Sequence, residues 1–208
     1  MSLVWNYAEN PIANLLLAHG AGAGLDSDFM VEIAELLAAR GVNVARFDFE
    51  YMQQAKALNK RRPPDRAPKL LDCFLENIHR VNSDLPLFIA GKSMGGRMAT
   101  LLAAQNEVDV YGVIALGYPF HPPGKPEKLR TEHFGDVTVP FLIVQGERDT
   151  FGTKDEVLGL PIPQTIKFEW LQDGDHSFKP RKSSGYSESG HRVTAANAIS
   201  DFINRVLL

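Results

Sequence analysis

Ser93 stands in the sequence GKSMG, a G-x-S-x-G pattern between a short apolar run and a segment of helical periodicity. A strand followed at once by a helix holds such a serine at a sharp, strained turn, where Gly91 and Gly95 leave out side chains that would collide. The turn exposes the hydroxyl, and the amide of Met94 at the start of the helix could stabilise a bound oxyanion. The pattern predicts a nucleophilic serine; the alternative is an ordinary glycine-rich turn.

A serine hydroxyl is a weak nucleophile at neutral pH, so it needs a histidine base and an acid that orients the histidine. Asp149 and His176 follow in the required chain order, each just after a predicted strand. The alternatives are that Asp149 caps a helix and that His176 is an ordinary surface histidine. Other acids and histidines compete for these two roles: Glu147, Asp173 and Asp175 for the acid, and His19, His121 and His191 for the base.

The glycine-rich stretch HGAGAG at 19–24 also follows a predicted strand and admits two interpretations. In one, the amide of Ala21 or Gly22 is a second oxyanion donor beside that of Met94. In the other, the loop binds the pyrophosphate of a nicotinamide dinucleotide and Asp48 binds a ribose hydroxyl. The glycines are spaced G-x-G-x-G, whereas the dinucleotide fingerprint is G-x-G-x-x-G. The spacing therefore favours the oxyanion interpretation, and Asp48 is then a structural or pocket-edge residue.

The elements that must position these side chains alternate between short apolar runs and longer amphipathic segments, which is typical of a mostly parallel sheet with helices on both faces. We predict an α/β fold with a single domain over 1–208, since no repeat or linker interrupts the pattern. The predicted strands are 12–18, 42–47, 87–90, 112–116, 141–144 and 167–171, and the predicted helices are 28–40, 68–81, 95–104, 153–158 and 191–206. Segments 56–69 and 179–190 are predicted loops.

Composition excludes several classes of function. Hydrophobic residues make up 44% and charged residues 23% of the chain, as in ordinary globular proteins. The net charge of -3 argues against a protein whose main partner is nucleic acid. The sequence contains no apolar run long enough to predict a membrane span. A single cysteine, Cys73, and no secretory signal favour a cytoplasmic location. No spacing of metal ligands occurs, and a serine mechanism requires no metal and no cofactor.

Several residues near the predicted site could contact a substrate. Tyr118, Phe120 and His121 follow the strand 112–116, and Lys92 precedes the serine. The alternative for the first three is a rigid surface loop. The basic residues of segments 56–69 and 179–190 predict a preference for an anionic substrate if they lie at the mouth of the site; otherwise they are solvated surface charges.

The stretches HGAGAG, GKSMGGRMA, GYPFHPPGKPEKLR, LIVQGERDTFG and GDHSF together resemble the small α/β-hydrolase-like family related to dienelactone hydrolases. The resemblance covers nearly the whole chain. It implies an α/β-hydrolase fold with Ser93 as nucleophile, Asp149 as acid and His176 as base. Relatives in this group include a testis-expressed protein and a chromatin-complex subunit, and some act as scaffolds. The short segment 118–139 leaves little room for the helical cap of larger hydrolases.

We therefore expect a serine hydrolase that cleaves a small-molecule ester or thioester through an acyl-enzyme. Two alternatives remain. One is a hydrolase-fold protein that binds a partner without catalysis, and the other is a nicotinamide-dinucleotide oxidoreductase. The sequence does not identify the substrate or the oligomeric state.

Overall fold

Seven strands form one sheet at the centre of the computed structural model, which describes residues 3–208. Their spatial order is β1-β3-β2-β4-β5-β6-β7, and every neighbouring pair is parallel except β1 and β3. The strands are β1 (Val4–Asn6), β2 (Ala13–Ala18), β3 (Val42–Phe47), β4 (Leu87–Lys92), β5 (Gly112–Leu116), β6 (Phe141–Gly146) and β7 (Lys167–Leu171).

Helices cover both faces of this sheet. They are α1 (Asp28–Ala38), α2 (Glu50–Leu58), α3 (Ala67–Arg80), α4 (Met94–Gln105), α5 (Lys154–Leu158) and α6 (Glu188–Leu207), with short 3₁₀ turns at Phe134–Asp136 and Lys182–Ser184. No helix within residues 3–208 has both the length and the apolar composition needed to cross a bilayer. This arrangement is the predicted α/β fold.

Alternating residues of each central strand enter two separate cores. In β2, Leu15 and Leu17 pack with α1 and α6 on one face, whereas Leu16 and Ala18 pack with α3 and α4 on the other. Successive side chains of a strand point to opposite faces, so a strand buried on both faces is a continuous apolar run. That is why these strands could be recognised in the sequence.

The strand order places a crevice beside the predicted site. The chain leaves β2 towards β3 on one side of the sheet, and β4 lies on the other side of β2. Loops that follow two adjacent strands then diverge, and ligands of open α/β sheets bind at such a switch point, outside the carboxyl ends of the strands. The loop after β2 contains Ala21 and Gly22, and the turn after β4 contains Ser93.

The six predicted strands are all present, and the sheet has a seventh that the sequence did not indicate. This strand, β1, is three residues long and lies at the sheet edge, so it carries no buried apolar run.

The helices differ from the prediction in two places. Helix α2 was missed, because Tyr51 is its only buried residue, and its last turn falls in the predicted loop 56–69. Helix α6 begins at Glu188, one turn before the predicted start, where the Ser187 hydroxyl accepts a hydrogen bond from the amide of Gly190. Segment 118–139 contains one 3₁₀ turn and no α-helix.

Candidate active site

Ser93 occupies a strained turn between β4 and α4. Its φ and ψ angles are 51° and -113°, a backbone conformation that residues other than glycine rarely adopt. Two glycines allow the turn to close. A Cβ on Gly91 would lie 2.2 Å from the carbonyl carbon of Gly95, and a Cβ on Gly95 would lie 2.6 Å from the carbonyl oxygens of Ala18 and His19. Any larger residue at either position would collide with backbone.

Three side chains predicted from the sequence form a continuous hydrogen-bonded chain. The Ser93 hydroxyl lies 2.9 Å from Nε2 of His176, and Nδ1 of His176 lies 2.7 Å from Oδ2 of Asp149. An ionised carboxylate only accepts hydrogen bonds, so Nδ1 carries the proton and Nε2 is left to accept from the serine hydroxyl. This tautomer is the one that a general base for Ser93 requires.

The carboxylate of Asp149 is fully buried, and polar neighbours compensate for the lost hydration. Its Oδ1 accepts a hydrogen bond from the amide of Phe151 at 2.8 Å, and Oδ2 accepts one from Nε2 of Gln145 at 3.0 Å. Gln145 is itself fixed, because its Oε1 accepts from the amide of Tyr118 at 2.7 Å. The Phe151 ring contacts the His176 ring, with 4.3 Å between centroids. Asp149 and His176 are therefore held in a single orientation.

The loop after β2 is anchored from below by two buried rings. The single proton of the Tyr51 hydroxyl is shared between the carbonyls of Gly20 and Ala21, whose oxygens lie 3.2 Å and 3.0 Å from the hydroxyl oxygen. Nε2 of His19 accepts from the amide of Phe49, so its Nδ1 donates to the carbonyl of Gly20 at 2.6 Å. Burial lowers the pKa of His19, which keeps this ring neutral. These contacts fix the carbonyls of Gly20 and Ala21 and so hold the backbone of the loop in place.

Lys92 connects the strand that carries Ser93 to the loop that carries His176. Its Nζ donates to the backbone carbonyl of His176 at 2.7 Å and lies over the rings of Phe29 and Phe178, at 5.5 Å and 5.8 Å from their centroids. Burial lowers the pKa of Lys92 to about 8, against the opposing influence of Asp149 and Asp175. Lys92 is thus a structural support of the histidine loop as well as a wall of the cavity.

A cavity of about 480 Å³ opens beside the Ser93 hydroxyl. Its walls include Ala21 and Gly22 from the loop after β2, the rings of Phe29 and Phe151, and the side chain of Lys92. Met94 is the first residue of α4, so its amide is one of those at a helix start that lack a partner within the helix. Of the predicted oxyanion donors, Ala21 and Gly22 line this cavity, and Met94 directly follows Ser93 in the chain.

Three predicted substrate contacts need correction. Tyr118 and Phe120 are fully buried, and their rings pack against Phe134 in the core on the α3 and α4 face. His121 is 3% exposed, and its Nδ1 contacts the carbonyl of Pro122 at 2.9 Å. None of the three lines the cavity beside Ser93. Their position after a strand end was visible in the sequence, but the direction of their side chains was not.

The dinucleotide interpretation of HGAGAG is not supported by the surroundings of Asp48. Its Oδ1 accepts from the amide of Leu25 at 2.8 Å, and its Oδ2 pairs with Nζ of Lys56 at 2.6 Å. A Cβ on Gly24 would lie 2.6 Å from that same Oδ1. Asp48 therefore ties the glycine-rich loop to α2, and the third glycine makes room for its carboxylate.

Sequence reasoning did not identify Gln145, Tyr51 or Arg192. Gln145 was detectable as a polar residue at the end of an apolar strand, directly before the segment that contains Asp149. Arg192 lines the cavity from α6, with its guanidinium paired to Glu32 and Glu188 and 5.6 Å from the centroid of Phe29. Tyr51 gave no signal, since the helix that carries it was not predicted.

The sequence matches the family model described as alpha/beta hydrolase domain over residues 11–204. Comparison with curated proteins finds no match.

Solved structures share the fold at low sequence identity. Est1E from Butyrivibrio proteoclasticus is 15% identical with a TM-score of 0.72, covering 98% of this chain and 93% of its own. An alpha-beta serine hydrolase homologue from Coxiella burnetii is 16% identical with a TM-score of 0.70, covering 96% and 89%. A dienelactone hydrolase from Anabaena variabilis is 18% identical with a TM-score of 0.70, covering 97% and 89%.

Proposed function

The chain belongs to the alpha/beta hydrolase family, and on that premise we propose that it is a serine hydrolase that cleaves an ester or thioester with Ser93, His176 and Asp149. The observation that carries the proposal is the unbroken hydrogen-bonded chain from the Ser93 hydroxyl through His176 to the buried carboxylate of Asp149. Two structural neighbours, a serine hydrolase homologue and a dienelactone hydrolase, support this class of reaction.

The reaction begins when Nε2 of His176 takes the proton of the Ser93 hydroxyl while Oγ bonds to the substrate carbonyl carbon. The resulting imidazolium is stabilised by Asp149, which remains ionised. The carbonyl oxygen becomes an oxyanion and accepts hydrogen bonds from the amide of Met94 and from that of Ala21 or Gly22, each worth about 3 kcal/mol in the transition state. The donors are fixed before the substrate binds, so no reorganisation accompanies the step.

Collapse of this intermediate breaks the bond to the leaving group, and the alcohol or thiol departs with the proton from His176. Water then enters, gives a proton to His176 and attacks the acyl-enzyme. A second collapse releases the carboxylic acid and returns the proton to Ser93. Lys92 supports both halves of the cycle, because its hydrogen bond to the His176 carbonyl holds the ring where it can serve in turn as base and acid.

A fluorophosphonate probe tests the proposal, since it reacts with an activated serine and requires no knowledge of the substrate. We expect the wild-type protein to be labelled on Ser93 and to hydrolyse a short p-nitrophenyl ester, and Ser93→Ala to lose both activities with an unchanged melting temperature. Ser83→Ala removes an exposed hydroxyl from the loop before β4 and is the matched control. A wild-type protein that is not labelled, or a Ser93→Ala variant that is labelled equally, would exclude Ser93 as nucleophile and favour a non-catalytic binding protein.

A further inference from the structure

A second depression, here called the basic groove, adjoins the active-site cavity. It has a volume of about 580 Å³, and the residues that line it include Lys56, Lys60, Arg61 and Arg62 and no aspartate or glutamate. The chain as a whole carries a net charge of -3. The groove therefore concentrates positive charge, although the chain as a whole has a negative net charge.

The basic groove and the active-site cavity share a wall. Ala21 and Gly22, the loop residues to which the proposal assigns an oxyanion amide, line both spaces. A substrate whose carbonyl lies against this loop can extend into the cavity on one side and into the basic groove on the other. The two spaces differ in chemistry. The cavity combines the apolar side chains of Phe29, Met30 and Phe151 with two cations that already have partners in the protein, Lys92 and Arg192, whereas cations dominate the groove.

One of the four cations is neutralised within the protein. Lys56 pairs with Asp48 at 2.6 Å and with Asp26 at 2.9 Å. Burial alone would lower the pKa of Lys56, but its hydrogen bonds to these carboxylates raise it above the ordinary value. Lys56 is thus held at the groove by two carboxylates and contributes no surplus positive charge.

The other three cations have no such compensation. Across residues 3–208, no carboxylate forms an ion pair with Lys60, Arg61 or Arg62. Consecutive like charges repel one another, and an anion between them removes that repulsion. An anionic group in the groove would thus meet three uncompensated positive charges.

The chain presents these cations in a defined place. Helix α2 ends at Leu58, and the next residue, Asn59, has a left-handed conformation (φ 47°) that turns the chain. The amide of Lys60 donates to the carbonyl of Ala55 at 2.9 Å. Two prolines, Pro63 and Pro64, follow the cations and restrict the backbone beyond them. The end of α2 and the two prolines limit the freedom of the segment on both sides.

We propose that the substrate carries an anionic group, a carboxylate or a phosphate, that binds Lys60, Arg61 and Arg62 in the basic groove while its apolar part occupies the cavity beside Ser93. This inference rests on the proposed function, because it specifies which ester or thioester the serine cleaves. Arginine and lysine bind both kinds of anion, so the groove alone does not separate the two sources.

Two matched pairs of substrates test the inference and separate the sources. The mono-p-nitrophenyl ester of glutaric acid has a free carboxylate at the end of its acyl chain, where the p-nitrophenyl ester of pentanoic acid has a methyl group. The acetyl thioester of phosphopantetheine differs from that of pantetheine by a phosphate in the leaving group. For each pair we measure the ratio of kcat/KM for the anionic member to that for the neutral member, at low and at high salt.

We expect the ratio to exceed one for at least one pair, to decrease with salt, and to fall about fivefold in Lys60→Gln/Arg61→Gln. The matched control is Lys167→Gln/Arg205→Gln, which removes one exposed lysine and one exposed arginine from β7 and α6 outside both spaces and should leave the ratio unchanged. The pair that responds identifies carboxylate or phosphate. If both double variants change the ratio equally, or if neither does, the inference is wrong even when Ser93 is labelled.

Equilibrium binding separates this inference from the proposed function. If the wild-type protein neither cleaves an ester nor reacts with the fluorophosphonate, the proposed function fails. Calorimetry on Ser93→Ala still measures how tightly the groove binds the two anionic compounds, the glutarate ester and the phosphopantetheine thioester. Weaker binding after Lys60→Gln/Arg61→Gln would then support the anion site. Binding that is absent, or that does not depend on these two residues, would overturn it.

Discussion

Nε2 of His176 lies 2.9 Å from the Ser93 hydroxyl, although the two residues are 83 positions apart in the chain. The contact exists because both follow parallel strands, β4 and β7, whose carboxyl ends lie at one edge of the sheet. Strands β5 and β6 lie between β4 and β7, so the loop after β7 must extend past their ends to bring His176 to Ser93. Lys92 holds this loop at His176, because its Nζ donates a hydrogen bond to the His176 carbonyl.

Asp149→Asn should lower kcat by about 10⁴-fold on an activated ester, because an amide favours the wrong histidine tautomer. The matched control is Glu147→Gln, which alters a neighbouring acid that pairs with Lys154 at 2.8 Å. We expect the control to stay within about twofold of wild type, since Glu147 does not contact His176. Steady-state kinetics together with thermal melting would check both, and the assignment reverses if Glu147→Gln is the more damaged variant.

Tyr51→Phe should reduce kcat by about tenfold with little change in KM. The hydroxyl holds the carbonyls of Gly20 and Ala21, and its loss loosens a loop whose amides act on the transition state rather than on the bound substrate. Tyr111→Phe removes an exposed hydroxyl and is the control. A rise in KM at constant kcat would instead assign Tyr51 a role in substrate binding.

Gly95→Ala should destabilise the fold by ~3 kcal/mol or more, because the new methyl group would lie 2.6 Å from two backbone carbonyl oxygens of residues 18 and 19. Helix propensity predicts the opposite sign for this change, so the experiment separates packing from propensity. Gly135→Ala adds a methyl group with nothing within 4 Å and should change stability by less than about 0.5 kcal/mol. Urea unfolding measures both free energies. Equal values for the two variants would mean that the turn at Ser93 is not closed by Gly95.

His133 should make the protein less stable in mild acid. Burial, together with the charge of Arg97, lowers the pKa of His133 from 6.5 to about 4. Between these values the unfolded chain binds a proton that the folded protein excludes, so this contribution to stability is lost as the pH falls from 6.5 to 4.

His133→Gln keeps a polar partner for the Thr100 hydroxyl, which lies 2.9 Å from Nε2, and removes the titration. We therefore expect a smaller loss of unfolding free energy between pH 6.5 and pH 4 in this variant than in wild type. His79→Gln changes an exposed histidine and should follow the wild-type profile. Parallel profiles for wild type and His133→Gln would show that other groups cause the acid sensitivity.

Much of the sheet could be predicted because strands buried on both faces form continuous apolar runs, as β2 and β6 do. The elements that were missed, β1 and α2, bury few residues and so leave little pattern. The aromatic residues after β5 were misassigned for a different reason. The sequence shows that Tyr118 and Phe120 follow a strand end, but whether their rings turn to the core or to the cavity depends on Phe134, a contact made across the fold.

The sequence by itself determined the turn at Ser93, since the two flanking glycines and the change from strand to helical periodicity are local properties of the chain. It also determined the order of the serine, the acid and the histidine. Only the tertiary structure decided that these three side chains meet, that Tyr51 anchors the glycine-rich loop, and that a basic groove shares that loop with the cavity. Those relationships arise from the order of strands in the sheet, which is set by burial and pairing between distant segments and has no local signature.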